Sequence, residues 1–385
     1  MKKILILALI LSFLLLIGLS LPQKSSAKEY PLELNAKSAI LMDASTGTVL
    51  FEQNADAALP PASVTKIMTL LLVMEAIDAG RIALDDMVSV SEEAAKMGGS
   101  QVYLEPGETM RVEELIKCVV IASANDAAYA LAEHVAGSEE AFVRRMNERA
   151  AALQMKNTHF ENTNGLDDTV TEHLTSARDI AIMSRELLNH KKILEYTTIW
   201  QDSIRDGSFV LTNTNRLVRF YPGATGLKTG STSRALFCIS ATAERNGLHL
   251  IAVVMGSPTR DIRNAETKKL LDFGFSGYAT YHAPEETLPS LAVSGGTTED
   301  IEIKLCEFSA LLEKGKETRV TRTIVLPDSI SAPIKSGDVL GYAEYSADGE
   351  SIGRADIVAC EDVEKIGFFD IVFRMLCHML GAFKK

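Results

Sequence analysis

Apolar and polar positions change period several times along the chain, and each change predicts an element. Ser38–Met42 and Thr48–Phe51 read as two strands joined by Asp43-Ala44-Ser45-Thr46-Gly47, a turn composition with its glycine last. Pro60-Pro61-Ala62 stops extended structure, and a helix is expected from Ser63 to about Ala79, closed by Gly80. Residues 111–190 are predominantly helical by pattern, with Ala- and Leu-rich stretches at 112–136, 139–153 and 177–188. Alternation returns at Leu236–Ala241 and Leu248–Met255, on either side of the turn Arg245-Asn246-Gly247, and Ala265–Phe273 reads as another helix. Strands, then helices, then strands imply one sheet with an inserted helical subdomain.

Beyond His282-Ala283-Pro284 the runs shorten. Ile301–Leu305, Arg319–Leu326 and Ile352–Val358 are broken by Gly, Pro and Asp, which predicts a separate small all-β domain over residues 283–361. The last stretch, 362–385, is amphipathic. Phe369, Val372, Phe373, Leu376, Leu380 and Phe383 fall on one helical face, with Asp370, Arg374 and His378 opposite. That face suits a membrane surface, and packing on the β domain is the alternative.

The amino terminus has its own pattern. Met-Lys-Lys precedes an almost unbroken apolar run from Ile4 to Leu21, and Ser25-Ser26-Ala27 follows with small residues. This is the layout of a secretory signal peptide over residues 1–27, with an uncleaved anchor as the alternative. Either way the bulk of the chain is expected outside the cytoplasm, secreted across the cytoplasmic membrane.

Composition narrows the classes. The chain of 385 residues carries a net charge of −12, and removing Lys2, Lys3 and Lys24 with the leader makes it −15. That excludes a protein built to coat nucleic acid, and 46% apolar residues exclude a disordered chain. Five cysteines, Cys118, Cys238, Cys306, Cys360 and Cys377, form neither a C-x-x-C pair nor a metal set with histidines. No metal and no cofactor are expected. Cys306 and Cys360 are read either as a pair or as two buried thiols.

Three short motifs carry chemistry. Ser63-Val64-Thr65-Lys66 is S-x-x-K; at a helix start, positions i and i+3 share a face, so Lys66 can take the Ser63 proton. Ser123-Ala124-Asn125 is S-x-N, where a hydroxyl can relay a proton and an amide can bind a substrate carbonyl. Lys228-Thr229-Gly230 supplies fixed charge, a hydroxyl and close backbone approach. Each is weak alone, and Ser25–Lys28 repeats S-x-x-K by accident. Their order, 60 and 105 residues apart and each at a suitable element boundary, is specific.

The set resembles the low-molecular-weight penicillin-binding proteins, the serine-type D-alanyl-D-alanine carboxypeptidases. Leu104-Glu105-Pro106-Gly107-Glu108, Asn164-Gly165-Leu166-Asp167 and Gly226-Leu227 before Lys228 extend the likeness over about residues 35–275. The resemblance implies an α+β fold of the β-lactamase/transpeptidase type over residues 30–282: an antiparallel sheet flanked by helices, with the C-terminal β domain and amphipathic helix following. It implies that Ser63 is acylated with Lys66 as base, and that Ser123 with Lys228 protonates the departing D-alanine. Asn125 would hold the peptide. Backbone amides of Ser63 and Ser231 would form the oxyanion hole, and Arg263 with Thr229 would bind the terminal carboxylate. Substrates would be peptidoglycan stem peptides ending in D-Ala-D-Ala, with β-lactams as inhibitors. Ser231-Thr232-Ser233-Arg234-Ala235-Leu236-Phe237 is similar to the sporulation-linked branch.

Three neighbours of these motifs have blander readings. Ser176-Ala177-Arg178-Asp179 reads as a helix cap, and His173 as structural. Glu161-Asn162-Thr163-Asn164-Gly165 departs from the E-x-x-L-N pattern of class A β-lactamases, which disfavours penicillin hydrolysis. A β-lactamase and a catalytically idle penicillin-fold binding module are the alternatives.

Overall fold

Strand β1, Ser38–Asp43, and β2, Val49–Gln53, open the described part of the chain. The computed structural model describes residues 32–368 and 370–372. The leader, Cys377 and most of the amphipathic tail lie outside the described residues.

The N-terminal half follows the strand–helix–strand pattern. Helices α1 (Lys66–Asp78), α2 (Val112–Lys117), α3 (Asn125–Ala136), α4 (Glu139–Ala152) and α5 (Ala177–Asn189) lie between β1–β2 and the later strands. A small hairpin of β3 (Gln201–Ile204) and β4 (Phe209–Thr212) follows. Then come β5 (Ala224–Thr232), β6 (Leu236–Arg245), β7 (Leu248–Ser257) and the long helix α6 (Arg260–Gly277). The sheet is antiparallel in the order β2-β1-β7-β6-β5.

Burial explains the unbroken apolar run of β7. Leu250, Ala252 and Val254 alternate with Ile251, Val253 and Met255, and all six are fully buried. Ile251, Val253 and Met255 join Ile40 and Met42 in the core built with the inserted helices, including Ile180, Met183 and Leu187 of α5. The opposite face meets α6, where a side chain at Gly274 would strike Leu250 and Leu41. A strand covered on both sides has no polar face to alternate with.

The C-terminal half has a core of its own. A six-stranded sheet runs in the order β12-β14-β15-β10-β9-β13, with β9 Glu286–Ser294, β10 Asp300–Leu305, β12 Val320–Val325, β13 Ser329–Ser331, β14 Val339–Ala347 and β15 Glu350–Ala359. Ile303, Leu305, Ala343, Tyr345 and Ile357 fill its centre. The Phe308 ring stacks on Tyr345 with centroids 4.2 Å apart.

Two expected boundaries move. Strand β8, Tyr278–Ala283, pairs residue for residue with β11, Phe308–Glu313, so the β half starts at the end of α6 and not at 283. At the other end, Val363 bridges to Ile334 and Lys365 to Gly296. Residues 362–367 therefore belong to the β half, and helix begins only at Phe368. A covalent link between Cys306 and Cys360 is also ruled out by register. Cys306 lies opposite Asp356 and Cys360 opposite Glu302, four positions apart along the β10–β15 ladder. That is about 13 Å, about twice what a disulfide spans. Both are free thiols.

Candidate active site

Ser63 lies in a 3-10 turn, Ala62–Thr65, and the α-helix proper begins at Lys66. The tighter turn eclipses i and i+3, placing Lys66 Nζ 2.9 Å from Ser63 Oγ. Lys66 is fully buried. Its nitrogen also meets Asn125 Oδ1 at 2.5 Å and the Asn164 carbonyl at 2.8 Å. Burial, and then the charge of Lys228, hold its pKa well below the ordinary lysine value, with Asp126 opposing. A neutral amine has two N–H bonds and one lone pair. In that form the Asn125 and Asn164 oxygens would take both N–H bonds and leave the lone pair for the Ser63 proton, whereas the protonated amine donates to Ser63 as well. The arrangement suits a base.

Ser123 ends a π-helical turn, Cys118–Ala122, and adopts a left-handed φ of 63° before α3. This break turns its hydroxyl toward Lys228, which donates to it at 2.7 Å. Lys228 also donates to the Thr229 carbonyl at 2.9 Å. Burial and the nearby Arg263 charge bring its pKa down to about 7. The two serine–lysine pairs are thus complete, and each lysine depresses or is depressed by a neighbouring cation.

Gly230 lets β5 run directly against the nucleophile turn. A Cβ there would lie 2.8 Å from the Ser63 amide and 2.9 Å from the Pro61 carbonyl. This brings the next residue, exposed Ser231, beside Ser63, as two oxyanion amides require. Gly165, at φ +86°, makes a second close approach, where a Cβ would sit 1.9 Å from the Ala62 carbonyl.

Asn125 has contacts beyond those expected. Its Oδ1 accepts from Lys66 and its Nδ2 donates to the Gly98 carbonyl at 2.6 Å, with the residue 2% exposed. In this geometry the amide also orients the base, a contact that the spacing of the motif does not reveal. Arg263 is likewise recessed, 3% exposed, donating to Asn264 Oδ1 through Nε and Nη2 and to the Cys238 carbonyl at 3.4 Å. Thr229 donates to Thr214 at 2.8 Å. Arg263 and Thr229 nevertheless line one cleft of about 540 Å3 with Ser63, Ser123, Gly230 and Ser231.

Other residues of this site carry no local signature. Thr214, Arg216, Trp200 and Phe220 also line the cleft. Asp126 accepts from the Val102 and Leu104 amides, both at 3.1 Å, fixing the loop beside Ser100. The sequence run Ser123–Ala128 contains Asp126, but only the fold shows what it holds. His173 is buried; its Nδ1 accepts from the Glu161 amide at 3.0 Å and its Nε2 lies 2.8 Å from Thr65 Oγ1. Since Thr65 donates to the Ala62 carbonyl, His173 carries its proton on Nε2. Ser176 caps α5 by accepting from Asp179 N. Glu161 accepts from the Glu172 amide.

The sequence model of the D-alanyl-D-alanine carboxypeptidases matches residues 23–259, and that of the penicillin-binding protein 5 C-terminal domain matches residues 284–365. The chain is 45% identical to D-alanyl-D-alanine carboxypeptidase DacF of Bacillus subtilis over 348 residues, 89% of each protein. Penicillin-binding protein 5 from Haemophilus influenzae superposes with a TM-score of 0.73 at 31% identity, covering 88% of this chain and all of that one. Penicillin-binding protein D2 from Listeria monocytogenes, solved in an ampicillin-bound form, gives 0.59 at 32% identity over 64% of this chain and all of its own. With its paired serines and lysines in one cleft and matches of this extent on both halves, the chain belongs to the D-alanyl-D-alanine carboxypeptidase family.

Proposed function

We propose that the protein removes the terminal D-alanine of peptidoglycan stem peptides through an acyl-enzyme on Ser63. Lys66 takes the Ser63 proton as Oγ attacks the D-Ala–D-Ala carbonyl. The amides of Ser63 and Ser231 receive the developing oxyanion. Ser123 gives its proton to the departing amine and regains one from Lys228, and water then releases the shortened peptide. The leaving residue's carboxylate is met by Thr229, Arg216 and the positive field of Arg263. The observation that carries this reading is the pair of serine–lysine contacts, 2.9 and 2.7 Å, in one cleft.

The same geometry supports capture of β-lactams at Ser63. Among the described residues no carboxylate lines the cleft, so the base that a class A β-lactamase uses on its acyl-enzyme has no counterpart among them. Incubation with a labelled penicillin and with diacetyl-L-Lys-D-Ala-D-Ala tests the reading. Stable label on Ser63 with D-alanine release supports it. Rapid penicillin turnover points to a lactamase, and neither signal to an idle binding module.

The proposal extends to location: export by residues 1–27 and attachment of the C-terminal helix to the outer face of the cytoplasmic membrane. Phe368, 74% exposed, Ile371 and Val372 begin an apolar face at the described end. Among the described residues no helix is long and apolar enough to cross a membrane. Truncation after Gly367, which spares the β half, should release the protein from membranes. A role in sporulation rests on the Ser231–Phe237 block, and expression outside sporulating cells would count against it.

A further inference from the structure

Arg260 stands at the mouth of the cleft with more positive charge around it than the proposed reaction uses. It is the first residue of α6, capped by Thr259, and lines the cleft together with Arg216 and Arg263. Arg216 and Arg260 are exposed, and neither guanidinium has an ion pair or hydrogen bond among the described residues. Other arginines that border clefts and loops of the N-terminal half do find acids: Arg149 meets Glu75 and Glu186, Arg178 meets Glu52 and Asp56, and Arg205 meets Glu108.

The three cations repel one another. Burial lowers the Arg263 pKa to about 10, and the charges of Arg260 and Arg216 push it the same way, against Cys238 and Asp261. Such a cluster is unfavourable until an anion arrives. One carboxylate has two oxygens, which Thr229 and one guanidinium fork satisfy. That leaves Arg260 unused. Arg260 lies one helical turn before Arg263 on the same face of α6, so its charge serves the leaving-group end of the cleft.

We infer that Arg260 forms a subsite for a second carboxylate on the departing residue, so that the protein also releases C-terminal D-residues with acidic side chains, such as D-glutamate. The bond broken is the same amide, and the leaving amine takes its proton from Ser123 as before. This inference rests on the carboxypeptidase reading.

The test uses the full chain with diacetyl-L-Lys-D-Ala-D-Ala and diacetyl-L-Lys-D-Ala-D-Glu. Wild type should release D-alanine and D-glutamate with KM values within about threefold of one another. Arg260→Gln should raise KM about threefold for the first peptide and about thirtyfold for the second, and Arg260→Lys should recover most of that difference. A circular dichroism spectrum and thermal midpoint matching wild type report a folded site. D-alanine release without D-glutamate release overturns the inference alone, as does an equal rise in KM for both peptides. Release of neither residue overturns the carboxypeptidase reading and the inference with it.

Discussion

Lys228 reaches Ser123 at 2.7 Å, from a strand to the break between two helices, 105 residues away in the chain. In the proposed reaction this contact gives the S-x-N serine its own proton source, separate from the Lys66–Ser63 pair. Ser123→Ala should therefore lower D-alanine release about 10²- to 10⁴-fold, as loss of one proton relay does. Steady-state kinetics on the D-Ala-D-Ala peptide would show it, with a normal thermal midpoint to exclude misfolding. Unchanged kcat would remove Ser123 from the relay.

The lysines also set a pH profile. The proposed acylation needs Lys66 without its proton and Lys228 with one. The first has its pKa well below the ordinary value and the second about 7. Acylation by penicillin should rise with pH as Lys66 is freed and decline above about pH 7 as Lys228 is neutralised. Lys228→Arg, which keeps its charge, should flatten the alkaline limb in whatever activity it retains.

His173 makes stability fall in mild acid. Burial lowers its pKa to about 4 from 6.5. Between those values the unfolded chain binds a proton that the folded one refuses, so stability rises with pH across that window and is lost as pH falls through it. The full shift is worth roughly 3 kcal/mol. Urea midpoints at about pH 4.5 and about pH 7 should differ less in His173→Asn than in wild type. Equal differences would show that His173 does not supply the slope.

Gly230→Ala tests the oxyanion geometry. Its Cβ would push β5 off the Ser63 amide, 2.8 Å away. Penicillin acylation should fall at least about 100-fold, the effect of losing one oxyanion donor. Circular dichroism should stay close to wild type, because the displacement is local to the strand. A rate within a factor of about three would mean that the strand adjusts without disturbing the site.

The motif serines and lysines were legible from sequence because each sits at a break in periodicity, where a turn composition and a polar residue coincide. Strands β6 and β7 were legible for the same reason, as apolar runs around Asn246-Gly247. What escaped were contacts that no local period encodes. Asn125 was read as a substrate ligand because an amide beside a serine has that chemistry; only the fold brings Lys66 and Gly98 to its two ends. Arg216 and Arg260 look like ordinary surface cations until the turn before Leu217 and the start of α6 meet around one cleft. Tyr278–Ala283 carries no sign that it leaves the first sheet for a partner 30 residues later. The bridges at Val363 and Lys365 hide inside a stretch whose apolar spacing continues into the helix.

The ladder that separates Cys306 from Cys360 has a consequence for the molecule's chemistry. Cys118 and Cys238 are buried, with burial raising both thiols above their ordinary pKa, so neither presents a reactive thiolate. Among the described residues nothing in the architecture depends on a covalent crosslink. A reducing medium therefore finds no disulfide to break among the described residues, and the described fold persists by packing and hydrogen bonding.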